Sequence, residues 1–321
     1  MSFSFKKEAK VFVVFLGSQY SIDISSINFN QTHVEHLYSN KTLQIPNMFE
    51  QVVINKANPA TFEITFPALR ETDLQILFNR ALDYAAFDIY VRAGPNVFKI
   101  ENCVITNFIF NTAKIRPLTL SAEGEAIRAT RVGDADSYVI PGTTVPRSGT
   151  KTYNLTKYTN IKIENTVAID NLASINIQLQ NNIKWTPYTS IDDALVAIDA
   201  DSSMYPREYE LDNRVLQGVF STHVIDIEFW DKDIGLLIQI GEKVGNTVYG
   251  IEFDMPAVTI QTNISTGNVF NQSYTWRMTH NPEHLSEVIK YLGLTNLINA
   301  IQDNLGVDIL DHNSEAILET F

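Results

Sequence analysis

The chain has 321 residues, 45% of them hydrophobic and 19% charged, so it can bury a sizeable core and its length suits two domains. A formal net charge of −13 argues against a protein that grips nucleic acid by its phosphates, which needs clustered Lys and Arg. One cysteine rules out an internal disulfide framework, and no stretch nears the roughly 18 apolar residues of a membrane helix, so the expected setting is a reducing cytoplasm or a particle assembled in one.

The opening "MSFSFKKEAK" lacks the apolar run of a signal peptide, and "VFVVFL" (11–16) has strand length. Residues 33–59 are long and weakly patterned for a loop, and they carry Pro and aromatics. They are expected to form an arm that docks on a partner. Phe62, Ile64 and Phe66 alternate with Thr61, Glu63 and Thr65, which predicts a half-buried strand. "ETDLQILFNRALDYA" puts Leu74, Leu77, Phe78, Ala81 and Leu82 on one helical face, with Thr72 as the N-cap. Strands are expected near Phe87, Val104 and Leu118. "GDADSYVIPGTTVPRSGT", rich in Gly, Pro, Ser and Thr, reads as a linker. The expected organisation is one domain over 1–140, a linker over 141–160 and a second domain over 161–321.

In the second half, Ile175, Ile177 and Leu179 alternate with Asn176, Gln178 and Gln180. A second long arm spans 181–217, with Asp192, Asp193, Asp199, Asp201 and Tyr205 as candidate contacts to a neighbouring subunit. A strand over 225–230 is followed by the short amphipathic piece "DIGLLIQIGEK", then strands near Val248, Ile260 and Tyr274. Val258, Ile260, Thr262 and Ile264 alternate with Thr259, Gln261, Asn263 and Ser265. Phe270, Gln272, Tyr274 and Trp276 alternate with Asn271, Ser273, Thr275 and Arg277. A second helix is predicted from Asn281 as cap and Pro282 at its first position, interrupted at Gly293 and ended by Gly306, with an acidic tail beyond.

The order of elements repeats. "TFEITF" answers "IDIEFW", "FDIYV" answers "VYGIEF", "VITNFIF" answers "VTIQTNI", and "IRPLTLSAEGEA" answers "FNQSYTWRMTHN". The match is one of pattern and order, not of identity.

No catalytic constellation presents itself. Cys103 sits mid-strand with no neighbouring base, so it reads as a packed thiol. His33 and His36, and His280 and His284, have ligand-like spacings but no third ligand, and Pro282 separates the second pair. Asp199, Asp201, Ser203 and Glu210 mimic a calcium loop, but Met204 stands where the turn needs glycine. Glu123 and Glu125 flank Gly124, a pair that sequence cannot place in a cleft. Phosphate-loop and dinucleotide motifs are absent from the sequence. The expectation is a non-enzyme with no cofactor and no metal.

The helix "TDLQILFNRALDY", the strand "FDIYV" and the hairpin of "IENCVITNFIFN" with "IRPLTLSAEGEA" resemble the tail tube proteins of long-tailed bacteriophages. The resemblance covers roughly residues 8–133 best, and the repeat is similar to the duplicated-domain members of that family. It implies a mainly β fold with some α, a barrel-forming β-sandwich in two tandem copies, whose longest strands join neighbours into a ring. It further implies that three chains close a ring of pseudo-six-fold symmetry, that rings stack, and that the tape measure protein and other tail proteins are partners. DNA would then pass through the channel without specific binding, in a virion tail assembled in the host cytoplasm. A baseplate hub, tube-initiator or completion ring is the related alternative; a receptor- or carbohydrate-binding β-sandwich is the alternative of another class. On the tube reading, the polar strand faces line the channel: Asn102, Thr106, Thr259, Gln261, Asn263, Ser265, Asn271, Ser273 and Thr275.

Overall fold

The computed structural model describes residues 9–38, 51–66, 69–113, 116–146, 152–153, 158–164, 166–186, 204–223, 234–245, 247–266, 270–280, 282 and 285–292. In chain order its elements begin with β1 (Lys10–Phe15), β2 (Ser18–Ile22), β3 (Ser26–Asn30), β4 (His33–Tyr38), β5 (Gln51–Ala57), β6 (Ala60–Phe66) and β7 (Leu69–Arg70). Then come α1 (Glu71–Asp83), β8 (Phe87–Ala93), β9 (Asn96–Ala113), β10 (Arg116–Ala126), β11 (Arg128–Asp134), β12 (Thr143–Thr144) and β13 (Thr152–Tyr153). The second half holds β14 (Tyr158–Ile163), β15 (Val167–Ala168), β16 (Leu172–Trp185), β17 (Tyr209–Thr222), β18 (Ile234–Val244), β19 (Thr247–Thr266), β20 (Phe270–Met278) and β21 (Ile289–Leu292). The chain is mainly β, with one α-helix among the described residues.

Local chemistry sets these elements. β1 buries Val11 and Val13 and turns into β2 through Leu16 and Gly17, with φ of 45° and 74°. Two successive positive φ angles give the turn whose twist suits a tight hairpin. α1 buries Ile76, Leu77, Phe78 and Ala81, spaced for one helical face. Thr72 and Leu74 lie outside the described side chains.

Strand pairing reveals a topological repeat. In the first group, β3 pairs β6, β6 pairs β10 and β10 pairs the C-terminal half of β9. The N-terminal half of β9 pairs β8 and β11, β8 pairs β1, and β1 pairs β2. In the second group β16 pairs β17, β17 pairs β20, and β20 pairs the C-terminal half of β19. The N-terminal half of β19 pairs β18 and β21, β18 pairs β14, and β14 pairs β15. In each group one long strand, β9 or β19, thus pairs with two different sets of strands along its two halves. β9 and β16 pair antiparallel, Asn107 opposite Gln180 through Ala113 opposite Ser174, and join the groups into one continuous sheet. Eight strands run side by side in it: β3, β6, β10, β9, β16, β17, β20 and β19.

The core is shared as well. Phe78 of α1 packs against Phe108 and Phe110 of β9 at 4.9 and 5.2 Å between ring centroids, and Phe253 of β19 meets Phe110 at 5.6 Å. Asn181, buried on β16, donates to the carbonyls of Ala81 and Ile105. Burying two carbonyls without a donor would be costly, so this amide pins helix to sheet.

Several expectations need correction. Within the described residues 285–292, a single 3-10 turn, Leu285–Glu287, and strand β21 stand where the helix from Asn281 and Pro282 was expected. Val288 and Ile289 are buried beside β19, and that pairing outweighs the helical signal. Asn281, Gly293, Gly306 and the acidic tail lie outside the described residues. "DIGLLIQIGEK" is strand β18, because Leu236, Ile238 and Ile240 are buried in alternation, a period of two. By pairing, it is β18 and not "VYGIEF" that occupies the place of "FDIYV", whereas "VITNFIF" and "VTIQTNI" do occupy equivalent strands. The expected strand over 225–230 lies outside the described residues. Within the expected linker, Thr143–Thr144 adds a parallel edge to β2, and β14 already begins at Tyr158. Much of both expected loop arms is paired strand: β4 with β5, and the far ends of β16 and β17.

Candidate functional site: the polar face of the continuous sheet

The eight-strand sheet has two chemically opposed faces, because successive side chains point to opposite sides. One face carries Phe108, Phe110, Ile175, Ile177, Leu179, Leu216, Phe220, Tyr274, Trp276 and Ile260, all buried. The register sets its rows: Phe110 opposite Ile177, Ile177 opposite Gly218, Gly218 opposite Trp276, Trp276 opposite Ile260. Gly218 is a requirement of this row. A Cβ there would lie 2.3 Å from the Asn176 carbonyl oxygen and 2.7 Å from Trp276 Cζ2.

The opposite face is polar, and the same registers carry it across the sheet. One row runs Thr65, Ser121, Ile109, Gln178, Gln217, Arg277, Thr259. A second runs Asn111, Asn176, Val219, Thr275, Gln261, and a third runs Ser174, Ser221, Ser273, Asn263. A fourth holds Glu63, Glu123, Asn107 and Gln180. The charged groups in these rows are Glu63, Glu123 and Arg277.

Side-chain amides tie the strands together diagonally. Asn107 Nδ2 donates to Glu123 Oε2 at 3.0 Å, Gln178 Nε2 donates to Asn107 Oδ1 at 2.9 Å, and Gln217 Nε2 donates to Gln178 Oε1 at 3.2 Å. This ladder crosses β10, β9, β16 and β17, and therefore spans the junction between the two groups. The Ser174 and Ser221 hydroxyls meet at 2.6 Å. Along this ladder and at the serine pair the polar groups satisfy one another, and the rows carry few charges.

Seven of the expected channel-lining residues fall together here: Thr259, Gln261, Asn263 and Ser265 on β19, opposite or beside Asn271, Ser273 and Thr275 on β20. Thr106 sits at the register shift of β9 and donates its hydroxyl to the Glu123 carbonyl. Asn102 is elsewhere: it takes φ of 51° where β9 changes partners, its N–H donates to Asp88, and it lines a small cleft with Ala86, Ile127 and Tyr209. Sequence reading left the central residues Asn176, Gln178 and Gln217 out of the site. The alternation of β16 was visible, but its neighbours were not, since β9 and β16 are distant in sequence.

Of the expected arm contacts, Asp192, Asp193, Asp199 and Asp201 lie outside the described residues. Tyr205 is buried, packed with Met204 against Ala57, and Arg128 stands 5.7 Å from its ring. Cys103 is fully buried, its thiol donates to the Ile100 carbonyl, and burial pushes its pKa well up, which suppresses the thiolate. Among the described residues no group of three or more His, Cys, Asp and Glu could hold a metal, and no helix is long and apolar enough to cross a membrane. His284 and the side chain of His36 lie outside the described residues. The chain matches no known protein-family model, and no match was found among curated proteins.

Proposed function

We propose that this chain is a structural ring subunit of a phage-tail-like tube, whose polar sheet face lines a channel for DNA during ejection. The observation that carries the reading lies at the ends of the continuous sheet. Each group presents the same strand order, and inside the chain the last strand of the first group, β9, pairs the first strand of the second, β16. Among the described residues the equivalent strands at the two ends, β3 and the C-terminal half of β19, each pair on one side only. Such an edge is a template for another chain, and closure removes it. Ile264 and Phe270, 44% and 57% exposed, lie beside the β19 edge on the side of the sheet that is apolar elsewhere. Pairing β19 of one copy with β3 of the next repeats the internal junction and covers them.

Three copies of eight strands close a 24-strand barrel. At a strand spacing of about 4.8 Å and a tilt of about 40°, its backbone diameter is about 48 Å, which leaves room for a DNA duplex after side chains are counted. The polar rows face inward and the sandwiches outward. Stacked rings, a tape measure protein within and other tail proteins at the ends are the partners that follow, in a virion tail. A terminal ring at the baseplate uses the same closure.

The test pairs the wild-type chain with an Ile264→Asp, Phe270→Asp variant, viewed by negative-stain microscopy. Wild-type chains should give rings with a central hole. The variant should remain as folded single chains, since two carboxylates would be buried at every junction. Rings from both, or from neither, would count against the edge as the closing element.

A further inference from the structure

An α-helix ends in carbonyls that its own backbone cannot satisfy. α1 ends at Asp83, and Tyr84 follows with φ of 44°, the left-handed turn common just past a helix. Its last carbonyls are taken by side chains of the second group. Asn181 of β16 donates to Ala81 at 2.8 Å, Arg214 of β17 donates to Leu82, and the Tyr209 hydroxyl, at the start of β17, donates to Tyr84 at 2.9 Å. Asn181 and Arg214 are partners across the β16–β17 ladder, so these two caps arrive as a pair. The Arg214 guanidinium also stands 4.7 Å from the centre of the Tyr84 ring, and a cation there complements the helix dipole. One turn back, the Tyr291 hydroxyl of β21 donates to Asn79 Oδ1 at 2.7 Å, with its ring edge-on to Phe78.

The strand order repeats between the groups, but these caps do not. Ile64, opposite Ala122 and Ile27, corresponds to Gly218, opposite Trp276 and Ile177. Four residues back along each strand, Ala60 therefore stands in the place of Arg214, and Gln31 in the place of Asn181. Ala60 has no side-chain donor. Gln31 uses its amide within its own group, where Nε2 donates to the Asn58 carbonyl and Oε1 accepts the Ala129 N–H. The caps are thus particular to the junction inside the chain and are not a by-product of the shared strand pattern.

We infer that they make this junction a fixed joint: the last turns of α1 hold only while β16 and β17 are in place, so the two groups open as one cooperative unit and not as two separate domains. The inference does not depend on the ring reading.

The full-length chain carries its own probes. Trp185, Trp230 and Trp276 all lie in the second half, whereas the one cysteine, Cys103, is buried in the first. In a urea titration, tryptophan fluorescence therefore follows the second group and pulsed thiol labelling follows the first. The two midpoints should coincide in the wild type. In an Arg214→Met, Tyr209→Phe chain they should separate, with Cys103 reactive at lower urea than the tryptophan transition. Native-state hydrogen exchange gives the local reading. Amides over 76–83 should exchange at least roughly tenfold faster in that chain than in the wild type, while those of β8 hold their rates. Tyr209→Phe alone removes a single hydroxyl and should speed the same amides if the double variant does not fold. Separate midpoints in the wild type, or unchanged exchange over 76–83 in the variants, would overturn the joint. A uniform rise in exchange across α1 and β8 would overturn it as well, since that is general destabilisation without a local tie.

Discussion

Gly218→Ala should destabilise the chain, while Gly235→Ala should not. At Gly218 a methyl would sit 2.3 Å from the Asn176 carbonyl oxygen and 2.7 Å from Trp276 Cζ2, where real Cβ contacts are essentially never under 3.0 Å, so β16 and β17 must part by about 0.7 Å and Trp276 must move as well. Both strands are paired on their other sides, to β9 and β20, which resists the shift. Overpacking of this kind costs about 1–3 kcal/mol, or roughly 1.5–4.5 °C in melting temperature for a chain of this size. At Gly235 the nearest atoms are 3.8 Å away, and its φ is not positive. There the alanine should be neutral or stabilising by about 0.4–1 kcal/mol through the unfolded chain. Thermal unfolding followed by circular dichroism and by tryptophan fluorescence reads both. If Gly218→Ala melts within error of Gly235→Ala, Trp276 is not seated on that glycine, and the assignment of the sheet's buried face is wrong.

Asn181→Leu should cost about 2–4 kcal/mol, because it strands the buried Ala81 and Ile105 carbonyls; urea titration measures it. Cys103 should resist maleimide in the native chain and react once urea unfolds it. For Glu101, burial works to raise the pKa, but hydrogen bonds and attraction from Lys99 and Arg128 outweigh it and hold the carboxyl below the usual range. A depressed folded pKa gives stability that is present above the unfolded value and lost as pH falls through the folded one. Acid melts should therefore steepen less with pH in Glu101→Gln than in wild type, and identical slopes would remove Glu101 from the account. Gln261→Lys with Thr275→Lys should leave ring assembly intact, yet slow DNA passage at low ionic strength by placing cations on the polar face; unchanged passage would mean that these residues do not line the channel.

Period-two alternation made much of this fold legible. Ile175 to Gln180, Val258 to Ser265 and Phe270 to Arg277 fall on the faces their alternation assigns. The helix over 71–83 was legible from its stripe. What stayed hidden depends on contacts distant in sequence. The strand after Glu287 is decided by pairing to Gly250–Phe253, which local propensity does not contain. Asn102 stands apart from the other polar residues because the backbone of β9 takes a positive φ there, which alternation cannot show. Asn107 and Gln178 form the middle of the polar face only because β9 meets β16, 71 residues apart at that bond.

The most direct measurement is a cryo-EM map of the assembled particle, with strands resolved and copies counted. The expected result is three chains around a central hole, with β3 of each copy antiparallel to the C-terminal half of its neighbour's β19 and with Gln178, Gln217 and Thr275 facing the lumen. Six full chains per ring, or a ring in which β3 and β19 stay unpaired while Phe110 and Trp276 face the hole, would contradict it.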